Sequence, residues 1–457
     1  MNDPLIARLR SALGDNAVVD DPDVLDSHRN DHATFCTAGV PRVLVRPSST
    51  AEVVEVLRAA GSFGVPVVTQ GARTGLSGAA NALDGCLLLS TARMNQILEI
   101  SVEDQVAVVQ PGVVNADLSR AVLDQGLFYP PDPSSWEMST VGGNIATNAG
   151  GLCCVKYGVT ADFVRGLEVV LASGEVVRTG RRSAKGVAGY DLTRLIVGSE
   201  GTLGVVTEAV LALLPAPEAA LTAAAAFSSI EEGIAAAAAV MASGLRPSLL
   251  EFLDRPTLRA IQDYRDMGLP EDVGSMLIAQ SDRGPRAAED VARIAAICTE
   301  HGAVEVAEAS DAEESRMLLE ARRLVNASLE PLGVTLIDDV AVPRSRLVSL
   351  LRGIGEIGAK YDVLICCPGH VGDGNMHPTV VFDRDDSAAE ARALEAFGAV
   401  MELGLSLGGT ITGEHGIGTL KTRWLENELG PVGLDLHRRI KQTFDPENLL
   451  NPGKVLS

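Results

Sequence analysis

Short apolar runs separated by glycine-rich turns fill the chain from about residue 42 to 215. "RVLVRP" (42–47) and "VPVVTQ" (65–70) read as strands on either side of a helix. That helix opens on Ser49-Thr-Ala-Glu52, a capping-box pattern, and turns Val53, Val56, Leu57 and Ala60 to one face. "CLLLST", "VAVVQPG", "LEVVLASGEVV" and "LGVVTEAVLALL" are further strand candidates, so this half predicts a mostly antiparallel or mixed sheet. After Pro215-Ala-Pro217 the composition shifts to alanine-rich helices. One is expected from near Ser228 with Glu231 in capping position, and another along Val291, Ile294, Ala295 and Cys298. A third is expected from near Ser387, with Glu390 three residues on, burying Leu394, Phe397 and Met401. "GSMLIAQS" and "YDVLICCPG" read as strands between them. The pattern predicts an α+β protein with a first domain over 1–217, a second over 218–430 and a tail over 431–457.

Composition narrows the partners. The 457 residues carry a formal charge of −22 and no basic stripe, which argues against nucleic acid. An anionic ligand therefore needs a local site built from backbone N–H groups or a few arginines. No uncharged apolar run reaches the roughly 18 residues that cross a bilayer. "MNDPLIARLRSALG" also lacks the apolar core of a secretory signal. Seven cysteines without a CxxC suggest neither an iron–sulfur cluster nor a thiolate zinc site. Their odd number fits reduced thiols and a cytoplasmic protein, peripheral to the inner face of a membrane at most.

Three glycine-rich segments carry the first candidate chemistry. "VTQGARTGLSGAA" (68–80) follows a predicted strand, and its glycines would let the backbone approach a phosphate. Taken alone it is better read as an ordinary turn, since both the Walker and the Rossmann glycine patterns are absent. "PPDPSSWEMSTVGGNIATNAGG" (130–151) is a long stretch of small and polar residues with little to pack, read as a functional loop. "VGSEGTLGVVTEA" (197–209) repeats the style. Together they suggest a large anionic cofactor threaded along one domain.

These segments, in this order and followed by "KYG" (156–158), resemble the FAD-binding domain of the p-cresol methylhydroxylase/vanillyl-alcohol oxidase superfamily. The resemblance implies FAD contacts from Gly71, Ala72, Arg73, Thr74, Gly75, Ser77 and Gly78 in the first loop. In the second segment it implies Pro131, Asp132, Ser139, Thr140, Gly142, Gly143, Asn144, Thr147, Gly150 and Gly151. Glu200, Gly204, Val205 and Asn451 complete the set. Some members tether FAD through a histidine in the first loop. Arg73-Thr74-Gly75 stands there in this chain, so non-covalent FAD is expected.

The chain has seven histidines, and two of them, His370 and His377, bracket a Gly-Asp-Gly-Asn stretch in "GHVGDGNMHP". A third, His415, follows Glu414 in "ITGEHGIGTLK" (411–421). Histidine nitrogen and glutamate oxygen suit zinc, manganese or iron, but polar residues lining a domain interface would give the same pattern. Both motifs, with the closing "FDPENLLNPGKV" (444–455), resemble the C-terminal domain of FAD-linked oxidases. That group includes D-lactate dehydrogenases, the FAD subunit of glycolate oxidase and D-2-hydroxyglutarate dehydrogenases. The resemblance implies His370, His377 and Glu414 as ligands of a divalent ion, Zn or Mn, and His415 as the base. It also implies Arg322 and Asn375 as substrate contacts and a tail that returns to the FAD site. For Arg323, a solvated helix arginine is the equal alternative. Ile337 stands where dicarboxylate-specific relatives carry a lysine, which favours a small monocarboxylate.

The expectation is an FAD-dependent 2-hydroxy-acid dehydrogenase of D-lactate or glycolate type, passing electrons to an external quinone, cytochrome or flavoprotein. A non-catalytic, electron-relaying subunit of a glycolate-oxidase-like complex is the second reading, and a metal-dependent hydrolase a weaker third. The residues do not fix oligomeric state; a homodimer is the working expectation.

Overall fold

The computed structural model describes residues 3–33, 35–270, 272–383 and 385–456. Two compact units divide the chain. The first comprises Met1–Gly151, Gly158–Ala216 and Glu414–Ser457, and the second Leu152–Tyr157 and Pro217–Gly413. The chain thus re-enters the first unit at Glu414, ahead of the tail expected from 431. Residue 431 itself lies inside the helix Thr422–Phe444, which bends at Gly430 (φ +68°) and Pro431.

The first unit holds a mixed four-stranded sheet and an antiparallel five-stranded one. In the four-stranded sheet Leu87–Ser90 lies parallel between Val43–Val45 and Val67–Gln70, and Val18–Val19 pairs antiparallel to Val43–Val45. The predicted helix spans Thr50–Phe63 and buries Val53, Val56, Leu57 and Ala60 against Val43, Val45, Val67 and Leu89. Full burial of each large aliphatic side chain stabilises the fold by about 1.5–3 kcal/mol. Ser49 caps the helix, but the Glu52 carboxylate accepts from Ser48 N–H (2.7 Å) rather than closing the box on Ser49. In the five-stranded sheet Val205–Ala212 alternates buried and half-buried positions, as a strand covered on one face does.

The segment over 130–151, expected as a loop, contains the helix Val141–Thr147. Thr140 caps it by accepting from Gly143 N–H, an N-terminal signal hidden in a glycine-rich stretch.

The second unit is built on a seven-stranded sheet whose centre is Leu221–Phe227, Ser275–Ser281 and Leu249–Asp254, all antiparallel. Leu221–Phe227, "LTAAAAF", lies between Pro217 and the helix expected from near Ser228, and no strand was expected there. It forms a strand because both edges are paired and the helix Ala287–Glu300 packs across it. The next helix begins at Ile230, with Ser229 and Glu232 forming the capping box one residue later than expected. The helix Ser387–Ser406 is capped by Asp386 and buries Phe397 and Met401, whereas Leu394 is exposed.

Candidate active site

A cleft with about 1290 Å³ of open space lies in the first unit. Its walls are the loop after strand Val67–Gln70, the start of helix Val141–Thr147, the turn around Glu200, and Glu414 and His415. Two walls meet closely: a Cβ at Gly71 would lie 2.4 Å from Thr140 Oγ1. Only glycine admits that approach. The guanidinium of Arg73 is directed at backbone, its Nη1 donating to Ser27 O at 2.6 Å.

The Glu414–His415 corner is pinned from several sides. The buried carboxylate of Glu200 accepts from Ile417 N–H (2.7 Å) and Gly418 N–H (2.8 Å). Burial pushes its carboxyl up to about 7, against the lowering by those two donors. Asn451 Nδ2 donates to Glu200 O (2.6 Å), and Ser77 Oγ donates to His415 O (3.2 Å). Lys454, buried, donates to Gly78 O (2.7 Å) and Asn81 O (2.8 Å) and so fixes the end of the first loop. His415 Nε2 lies 3.8 Å from Glu414 Oε1.

In the second unit His370 and His377 come together through a hairpin. Gly369–His370 pairs with Asn375–Met376, and His370 O accepts from Asp373 N–H and Gly374 N–H to close the turn. Gly374 has φ +92°, and a Cβ there would meet Val342 O at 2.2 Å. The two imidazoles are both buried, 4.9 Å apart and edge to face. His370 Nδ1 is 2.6 Å from Glu251 Oε1, and Arg322 Nε donates to Glu251 Oε2 at 2.7 Å. Burial alone would raise the Glu251 carboxyl, but His370 and Arg322 together hold it below its usual range. His377 Nδ1 lies 4.0 Å from Asp339 Oδ1. Asn375 is buried, its Oδ1 has no hydrogen-bond partner among the described residues, and a Cβ on Gly413, the residue before Glu414, would meet its carboxamide at 2.5 Å. Arg323 is exposed.

Residues 41–180 match the family model described as FAD binding domain, and residues 216–455 match FAD linked oxidases, C-terminal domain. The chain belongs to the FAD-linked oxidases. It is 46% identical over 421 residues to "Glycolate oxidase subunit GlcD" of Bacillus subtilis, covering 92% of this chain and 89% of that one. It is 35% identical over 425 residues to "D-lactate dehydrogenase" of Anaerostipes hadrus, covering 91% and 89%. Its fold superposes on substrate-bound p-cresol methylhydroxylase with a TM-score of 0.82 at 18% identity, covering 99% and 96% of the two chains.

This FAD-linked oxidoreductase has the α+β architecture expected of it, and its cleft suits the cofactor. Thr69 Oγ1 and Asn144 Nδ2 are buried, belong to residues lining the cleft, and lack a hydrogen-bond partner among the described residues. A bound polar ligand satisfies such groups. Most of the expected FAD residues line it, including Gly71 to Gly75, Ser77, Thr140, Gly142 to Asn144 and Thr147. Gly150, Glu200, Gly204 and Asn451 do so as well. Gly78, Pro131, Asp132, Ser139, Gly151 and Val205 are not among the lining residues. Val205 belongs to the hydrophobic core, and Pro131 O and Ser139 O accept hydrogen bonds from Asn115. Sequence reasoning missed Glu251 and Lys454. The only signal for Glu251 was one acid within the apolar run "LLEFLD", and that for Lys454 was its place in the closing motif "FDPENLLNPGKV". Among the described residues no helix is long and apolar enough to cross a membrane.

Proposed function

We propose that the protein oxidises a small D-2-hydroxy acid, of D-lactate or glycolate type, to the 2-oxo acid. The observation that carries the reading is that Glu414 and His415 line the same cleft as the cofactor loops. A base there can reach a substrate held against the flavin. The names of the relatives, glycolate oxidase subunit and D-lactate dehydrogenase, point to the same substrate class.

In this reading the cleft would hold FAD non-covalently, which would supply the two-electron acceptor for a hydride, and His370, His377 and Glu414 would hold a Zn or Mn ion, which would supply Lewis acidity toward the substrate hydroxyl. The donor set, two imidazoles and a carboxylate, suits such an ion, and His370 Nδ1 faces the Glu251 carboxylate, the kind of partner that orients a ligating histidine. His415 takes the hydroxyl proton as C2 gives up its hydride, so two electrons leave the substrate. Arg322 binds the carboxylate, for which a guanidinium fork is well matched. Asn375 supplies a further polar contact from its carboxamide oxygen, which has no partner among the described residues. An external quinone, cytochrome or flavoprotein then takes the electrons.

His415→Ala tests the assignment of the base. The variant should retain FAD, and its reduction by D-lactate or glycolate should slow about 10²–10⁴-fold. Reduction at the wild-type rate would refute the role. Some relatives are named as subunits, which favours a second reading as an electron-relaying component of a larger assembly. Direct reduction of the isolated protein by a hydroxy acid separates the two.

A further inference from the structure

Strand Leu249–Asp254 is buried at every position, and Glu251 lies within it, fully excluded from solvent. A carboxylate at such a place costs several kcal/mol unless it is paired and hydrogen-bonded, and a leucine would pack there without that cost. Glu251 has two charge-bearing partners. One oxygen meets His370 Nδ1 at 2.6 Å, and the other accepts from Arg322 Nε at 2.7 Å. These partners come from a hairpin and a short helix far apart in sequence, and each has a separate task in the proposed reaction. The side edge of Arg322 is engaged, while its two terminal nitrogens make no hydrogen bond among the described residues.

We infer that Glu251 is a positioning residue that sets the metal ligand and the substrate arginine together. Its first oxygen holds the His370 proton on Nδ1, so that Nε2 is presented to a divalent ion. Its second oxygen fixes the guanidinium plane, so that the terminal nitrogens face a carboxylate in bidentate geometry. One buried carboxylate thereby links ion affinity to substrate affinity. The inference rests on the metal and carboxylate roles given above.

Glu251→Gln tests it in the FAD-loaded protein. A single amide oxygen cannot accept from both partners, and whichever way the group turns its NH₂ faces a donor. Mn²⁺ affinity, read from the EPR signal of the free ion, should fall about 10–100-fold, or the dissociation constant for D-lactate in anaerobic flavin titrations should rise by about as much. Flavin content serves as the control for folding. Glu251→Asp keeps the charge but shortens the reach, so it cannot hold both bonds and should move the same quantities, which covers a glutamine variant that fails to fold. Both constants within twofold of wild type in a flavin-loaded variant would overturn the inference. Wild-type protein that binds no Mn²⁺, or binds it equally well as His370→Ala, would instead refute the metal site and this inference with it.

Discussion

Glu200 gives the account a quantitative test. Its carboxylate is buried and accepts two backbone N–H bonds from the segment that carries His415. Burial raises its pKa from 4.5 to about 7. A raised value means the folded protein binds the proton more tightly than the unfolded chain, so stability is greatest below 4.5 and declines as pH rises to about 7. The difference, 7 minus 4.5, corresponds to about 3 kcal/mol at roughly 1.4 kcal/mol per pH unit. Glu200→Gln removes the ionisation and keeps one acceptor, forgoing one hydrogen bond of about 1–3 kcal/mol. At pH 5 the variant should therefore be the less stable by about 1–3 kcal/mol. At pH 8 the deficit should vanish or reverse, because only the wild type bears the buried charge. Urea unfolding of both FAD-loaded proteins at the two pH values reads the double difference, expected at about 2.5 kcal/mol because pH 5 already lies above 4.5. A deficit that stays constant to within about 0.5 kcal/mol across that range would refute the burial argument, since it would mean Glu200 titrates alike in both states.

Further outcomes follow from the same geometry. Gly71→Ala drives a Cβ to within 2.4 Å of Thr140 Oγ1, so purified protein should carry markedly less FAD, measured as the ratio of flavin to protein absorbance; full flavin content would contradict the close approach. Chelation and removal of divalent ions should leave the flavin spectrum intact yet abolish its reduction by hydroxy acid, with Mn²⁺ or Zn²⁺ restoring it; unimpaired reduction would remove the metal from the mechanism. Arg322→Lys should weaken a carboxylate substrate about 10-fold or more through loss of bidentate geometry, while FAD is retained; an unchanged KM would free Arg322 from that role.

What the sequence revealed depended on how local the signal was. Strands such as Val67–Gln70 and Val205–Ala212 were legible from their own apolar runs, and the glycine segments between them carried the family resemblance. Helix starts were placed to within a residue or two, because Ser228-Ser229 and Asp386-Ser387 each offer adjacent caps and only local geometry chooses between them. Leu221–Phe227 reads as helix in isolation, since alanine favours it, and only pairing on both edges makes it a strand. Helix Val141–Thr147 was hidden by its glycines. In the candidate site, the histidine pair was visible because a glycine turn joins its members. Glu251 was not, because its meaning depends on His370 and Arg322, which lie far along the chain.

The central claim, that this flavoprotein takes a hydride from a small D-2-hydroxy acid, is tested most directly by an anaerobic visible spectrum of the FAD- and Mn²⁺-loaded protein. It would be titrated in turn with D-lactate, L-lactate, glycolate and D-2-hydroxyglutarate. The account predicts bleaching of the flavin band by D-lactate or glycolate, with L-lactate and D-2-hydroxyglutarate ineffective or far weaker. A flavin band that none of the four bleaches would contradict it.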